Sequence, residues 1–209
     1  MPPDETRPAF VANKGAISDT EFRTDRTDVT THVHRVIDHA HSEIHNGQMF
    51  SAWVYDSDFD TQAQLILAFR TPNNTSRSHL FVEFSTTSFS AAEILEAPTI
   101  TSGTGTVVLP HNRDRNSLLR SGMMNIDNPG IVDRMTRNPT ITVDNVVLHG
   151  EMIGGGKNHG GSVGSSRGIH EWKLLPNTLY ACRLTQNSVG SDNQIASIFA
   201  VWYEHVDRS

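Results

Sequence analysis

The stretch IASIFAVWYE, residues 195–204, sets Ile198, Ala200 and Trp202 against Phe199, Val201 and Tyr203 at a period of two. Successive side chains of a strand point to opposite faces, so this alternation predicts a β-strand. TLYACRL, residues 178–184, repeats the pattern, with Tyr180, Cys182 and Leu184 opposing Leu179, Ala181 and Arg183. Upstream, residues 49–55, 62–69 and 80–84 are short apolar stretches separated by turn residues. AEILEA (92–97), TGTVVLP (104–110), TITVDNVVLHGEM (140–152) and IHEWKLL (169–175) are likewise bounded by Gly, Pro, Asn or Asp. About eight to ten strands at this spacing predict an all-β protein, a single jelly-roll-like β-sandwich. The segment 113–136, RDRNSLLRSGMMNIDNPGIVDRMT, reads as one long loop carrying a short helix around 117–124.

A chain of 209 residues is long enough for one sizeable core but short for two full domains. Residues 1–31 hold ten charged residues and three prolines, with neither a strand nor a helix period. The expected organisation is therefore an extended N-terminal arm at 1–31, held by a neighbouring subunit or by the domain surface, and a β-sandwich domain at 32–209. Hydrophobic residues make up 36% of the chain and its mean hydropathy is −0.38, which fits a loop-rich fold of short strands. The formal net charge of −6, with both signs mixed along the chain, offers no broad basic face for nucleic acid or an anionic membrane. No apolar run approaches the ~20 residues of a membrane span, and MPPDETRPAF lacks the order of an export signal. Cys182 is the sole cysteine, which excludes an intrachain disulfide and a cysteine-based zinc cluster, and fits folding in a reducing cytoplasm.

GGGKNHGGSVGSSRG, residues 154–168, invites a phosphate-loop reading, but Glu151 stands where the first glycine belongs and Asn158 where a Ser or Thr should hold magnesium. A long connection between two strands fits it better, with Lys157 and Arg167 meeting a neighbouring subunit. THVHRVIDHAHSEIH, residues 31–45, concentrates five histidines, of which His41 and His45 share one face of a helix and are the candidate metal pair. The plainer reading is a polar connector, and a catalytic metal needs ligands converging from separate strands. There is no G-x-S-x-G nucleophile elbow, and Cys182 occupies an alternating strand where a small buried thiol is ordinary. The sequence thus predicts no catalytic residue and no cofactor. Trp53, Tyr55, Trp172, Trp202 and Tyr203 are able to stack on sugars, although in strands core or interface packing is commoner. HNRDRNS, residues 111–117, places Arg113, Arg115 and Asn116 in a polar stretch after a strand, where guanidinium forks are suited to carboxylates across a subunit contact. With Lys157, Arg167 and Trp172 these are the candidate interface residues.

The blocks IHNGQMFSAWVYD, EILEAPTITSGTGT, HNRDRNS and GGGKNHGGSVGSSRGIHEWKLLPNTLYACRLTQN, with VWYEH at the end, resemble tailed-bacteriophage virion structural proteins of the capsid-decorating (cement) or minor head type. The resemblance covers roughly 44–205 and leaves the arm outside. It implies a β-sandwich made in the host cytoplasm that forms a homo-oligomer, expected to be a trimer, and binds the major capsid protein on the virion surface without catalysis. A tail or baseplate component, a glycan-binding module contacting the host and a cupin-like metal-binding protein are the alternatives.

Overall fold

The computed structural model describes residues 24–27, 34–36, 39–74, 76–153, 171–187 and 194–206. The chain divides into two units, Met1–Asn46 and Gly47–Ser209; the expected boundary at 31/32, and most of the expected arm, lie outside the described residues. In the first unit β1 (Thr24–Thr27) pairs antiparallel with β2 (His34–Val36), Thr24 opposite Val36 and Thr27 opposite His34. Helix α1 (His39–His45) follows, and the Asn46 N–H donates to the Ser42 carbonyl at 2.9 Å to close its last turn.

The second unit is an all-β sandwich. Its strands are β3 (Met49–Asp56), β4 (Gln64–Arg70), β5 (Ser76–Thr86), β6 (Ser90–Glu96), β7 (Thr99–Ile100), β8 (Thr106–Val108) and β9 (His111–Asn112). They continue with β10 (Met135–Arg137), β11 (Ile141–Val143), β12 (Val146–Ile153), β13 (Trp172–Lys173), β14 (Leu179–Gln186) and β15 (Ala196–Val206). One sheet has the order β13-β5-β15-β3-β9 and the other β12-β6-β14-β4-β10-β8, while β7 and β11 form a separate ribbon. The alternation in 195–204 places Ile198 beside Val54 and Phe84, and Trp202 beside Phe50 and Leu80. Those residues meet Leu65, Leu67, Phe69, Ile94, Tyr180, Cys182 and Leu184 of the facing sheet in one core. Burying an aliphatic or aromatic side chain of this kind stabilises the fold by about 1.5–3 kcal/mol.

The six-stranded sheet is covered on its outer face as well. Ile66, Ala68, Leu95 and Ala181 point away from the main core and are buried with Ile126 against Ile100, Ile141 and Leu179. The run QLILAFR is apolar on both faces of β4 because both faces are covered. Arg183 fastens the rim of this second layer: its Nε and Nη2 donate to Glu93 Oε2 at 2.9 and 2.7 Å, and Nη1 and Nη2 donate to the two Asp144 carboxylate oxygens at 2.8 Å each.

The helix expected at 117–124 does not form. Ser117 Oγ accepts from the Leu119 N–H at 3.2 Å, and Ser121 Oγ accepts from the Met123 N–H at 3.0 Å. Hydroxyls that bond the nearby backbone compete with helical hydrogen bonds. Met124 then bridges antiparallel to both Arg70 and Val132, which draws the chain out straight. Gly122 is required there by space, since a Cβ would stand 2.8 Å from both Glu204 Oε2 and Pro72 Cγ.

Candidate interaction site

β9 is an edge strand of the five-stranded sheet, with His111 opposite Ser51 and Asn112 opposite Phe50. The chain leaves it as a loop tied down by its own side chains. Asn112 Nδ2 donates to the Gly47 carbonyl at 2.7 Å and to the Leu119 carbonyl at 3.1 Å, so one amide pins both the base and the return of the loop. Asn112 Oδ1 accepts from the Asp114 N–H and Asp114 Oδ1 from the Asn116 N–H, each at 2.9 Å. The Ser117 N–H donates to the Asp114 carbonyl at 3.1 Å, and the Arg113 N–H to the Met49 carbonyl at 2.9 Å. These Asx and Ser turns account for the polar composition of 111–117, because each short side chain replaces a backbone partner that the loop lacks.

The outcome is a fixed backbone that displays its longer side chains. Arg113, Arg115, Asn116, Leu119 and Arg120 are exposed, and Leu118 is 96% exposed. Among the described residues Arg113 and Arg115 reach only weak local acceptors, Met49 Sδ at 3.7 Å and the Asn112 carbonyl at 3.5 Å. A guanidinium presented in this way is suited to a carboxylate brought by another chain.

The structure brings Arg113, Arg115 and Asn116 together in this loop and places Trp172 elsewhere. Trp172 is on β13, at the opposite edge of the same sheet, and packs against the core opposite Leu80. Lys157 and Arg167 lie outside the described residues. His41 and His45 do share a face of α1, their Nε2 atoms 2.8 Å apart and ring centroids 4.6 Å apart. Among the described residues no group of three or more His, Cys, Asp and Glu side chains is placed to hold a metal ion. Of the aromatics, Trp202 is in the core and donates its indole N–H to Glu204 Oε1 at 2.8 Å, while Trp53 and Tyr55 stand on the surface.

Sequence reasoning overlooked Leu118 and Glu204. Leu118 was absorbed into the expected helix, where it would have been one of several apolar residues. Glu204 receives hydrogen bonds from Ser121 Oγ at 2.7 Å, the Gly122 N–H at 2.8 Å and Trp202, which hold the 121–122 segment onto β15. Burial raises its carboxyl above the ordinary range and the three donors oppose that shift. No family model, curated protein or solved structure matches this chain.

Proposed function

We propose that this protein is a bacteriophage virion structural protein that decorates the capsid, a homo-oligomer, expected to be a trimer, whose 112–120 loop docks on the major capsid protein and cements joints between its subunits. The observation that carries this reading is Leu118, an apolar side chain 96% exposed on a backbone knit by Asn112, Asp114 and Ser117. A loop already held in one conformation loses little entropy when a partner covers it. The flanking arginines add bidentate recognition of carboxylates, and repetition around a symmetric lattice multiplies modest contacts through avidity.

A jelly-roll refinement of the sandwich is supported by the path of the chain. Strands β3, β4, β5 and β6 alternate between the two sheets, and β12, β13, β14 and β15 alternate again. The resulting orders β13-β5-β15-β3 and β12-β6-β14-β4 are those of eight strands wound as two Greek keys.

The test is co-sedimentation of the recombinant protein with capsids assembled without it. Saturable binding, weakened on the order of tenfold or more by Leu118→Asp combined with Arg115→Ala, is the expected result. Absence of binding overturns the capsid reading, and undiminished binding of the double variant removes the loop from it.

A further inference from the structure

We infer that the outer face of the five-stranded sheet is where a second copy of this chain docks; this rests on the homo-oligomer part of the proposed function and not on the capsid. β15 is the central strand of that sheet. Its inner residues Ile198, Ala200 and Trp202 are fully buried, and its outer residues Phe199, Val201 and Tyr203 are just as apolar. A strand apolar on both faces belongs between two covers. In β4 the chain supplies both, since Ile66 and Ala68 lie under Ile100, Ile126 and Ile141. On the five-stranded sheet, Trp53 is 56%, Tyr55 49% and Phe199 37% exposed.

The outer-face residues adjoin one another, Trp53, Tyr55 and Phe199 exposed, Val201 and Phe81 half-buried, and Tyr203 buried among its neighbours. Trp53 is opposite Phe199 in the β3–β15 register, and Val201 is opposite both Ser51 and Phe81. The Trp53 and Tyr55 rings stack with centroids 4.9 Å apart. Further along, Tyr203 stacks with His79 at 4.6 Å and with His205 at 5.4 Å, and Phe81 touches the same ring at 6.2 Å. Scattered exposed apolar residues are normal on a protein surface, whereas a contiguous aromatic field marks an interface.

Size, charge and composition favour a copy of the same chain as the occupant. Strands β13, β5, β15, β3 and β9 hold 2, 11, 11, 8 and 2 residues, and at about 3.4 Å rise and about 4.8 Å spacing they present about 550 Å² in projection. Side-chain relief raises the accessible area toward the ~800 Å² per partner of a stable complex. The charges on the face are balanced along the strands: Arg77 and Lys173, with Glu171 on His79, lie toward the histidine end, and Glu83 lies beside Phe199 toward the other. Two copies set head to tail bring opposite charges together and aromatics onto aromatics, as a self-complementary contact requires. A pleated face of this breadth matches another sheet more readily than a small ligand, which seeks a concave site.

The experiment is light scattering with size exclusion on the full-length protein, its Trp53→Glu/Phe199→Glu variant and, as a control off this face, Leu118→Glu. The expected result is a dimer for the wild type and for Leu118→Glu, since a self-complementary face closes with two copies, and a monomer with unchanged thermal melting for the double variant; a trimeric wild type overturns the self-complementary contact. Self-association should weaken on the order of 100-fold or more, because the variant replaces two apolar aromatic anchors with carboxylates that docking would have to desolvate. An oligomeric double variant overturns this face while leaving the homo-oligomer reading standing. A monomeric wild type overturns both, and glycan-array signals lost in Trp53→Ala would then assign the face to carbohydrate. Capsid co-sedimentation, scored separately, succeeds or fails independently of these outcomes.

Discussion

Cys182 and the Arg183 ion pairs show how burial sets chemistry at single positions. Cys182 has no solvent exposure, and burial pushes its thiol up to about 12. In the unfolded chain the thiol ionises near the ordinary ~8.5, so stability is fully present below that pH and is lost as the pH rises toward the folded value. The expected loss is about 1.4 kcal/mol per pH unit in that window, and urea titrations of wild type and Cys182→Ala should differ in alkaline slope by that amount. Thiol reagents should modify Cys182 only after unfolding. Arg183 poses a different question, because its two partners are unequally exposed, Glu93 at 23% and Asp144 at 44% of the side chain. Arg183→Ala should cost about 3 kcal/mol by stranding Glu93, while Asp144→Asn should cost less than about 1 kcal/mol, since water screens that pair. The hydrogen bonds from Arg183 hold the Asp144 carboxyl below its ordinary value. That small contribution is present above the ordinary carboxylate range and disappears as the pH falls through the lowered value.

At the scale of elements, the loops test the architecture more sharply than the strands do. Asn112→Ala removes the amide that spans Gly47 and Leu119 and the acceptor for Asp114. Faster amide exchange over 113–119, with a global loss of about 1 kcal/mol, is the expected result in hydrogen-exchange and denaturation measurements. Gly105 is at φ +85, and a Cβ there would lie 2.6 Å from the Arg137 carbonyl oxygen. Gly105→Ala should therefore lower stability by more than about 1 kcal/mol and expose the β8–β10 edge. The long strands were legible because alternation is a direct consequence of strand geometry, as in 195–204 and 178–184. The stretch 117–124 was not legible, since its apolar spacing suits a helix while Ser121 and the space requirement at Gly122 are settled by Glu204 and Pro72 from distant parts of the chain. The candidate site was half legible: polar composition flagged 111–117, but a rigid display of Leu118 differs from a solvated turn by hydrogen bonds to Gly47 and Met49, which spacing does not encode. The outer face of β15 had a signal, in that Phe199, Val201 and Tyr203 are no more polar than their opposites, and two-sided apolarity in one strand implies two covers.

For the molecule as a whole, self-association should depend on pH. His79 is held below its ordinary value, first by desolvation and with His205 and Lys173 adding to the effect, while its hydrogen bond and charge attraction to Glu171 oppose it. The neutral ring is thus favoured in the folded protein, a contribution present above the ordinary histidine range and lost as the pH falls through the lowered value. Acidification forces charge onto a ring that burial already disfavours in the charged form and that docking desolvates further, so the oligomer should dissociate more readily at pH 5 than at pH 7, which sedimentation velocity will show. The layer from Ile100, Ile126 and Ile141 over the six-stranded sheet has a consequence for growth. With the outer face of the six-stranded sheet already layered by its own chain, sandwiches joined through the five-stranded sheet have no bare second sheet, among the described residues, on which to stack. Sheet-on-sheet growth therefore stops after one contact instead of running on into a fibre, even when the protein is crowded.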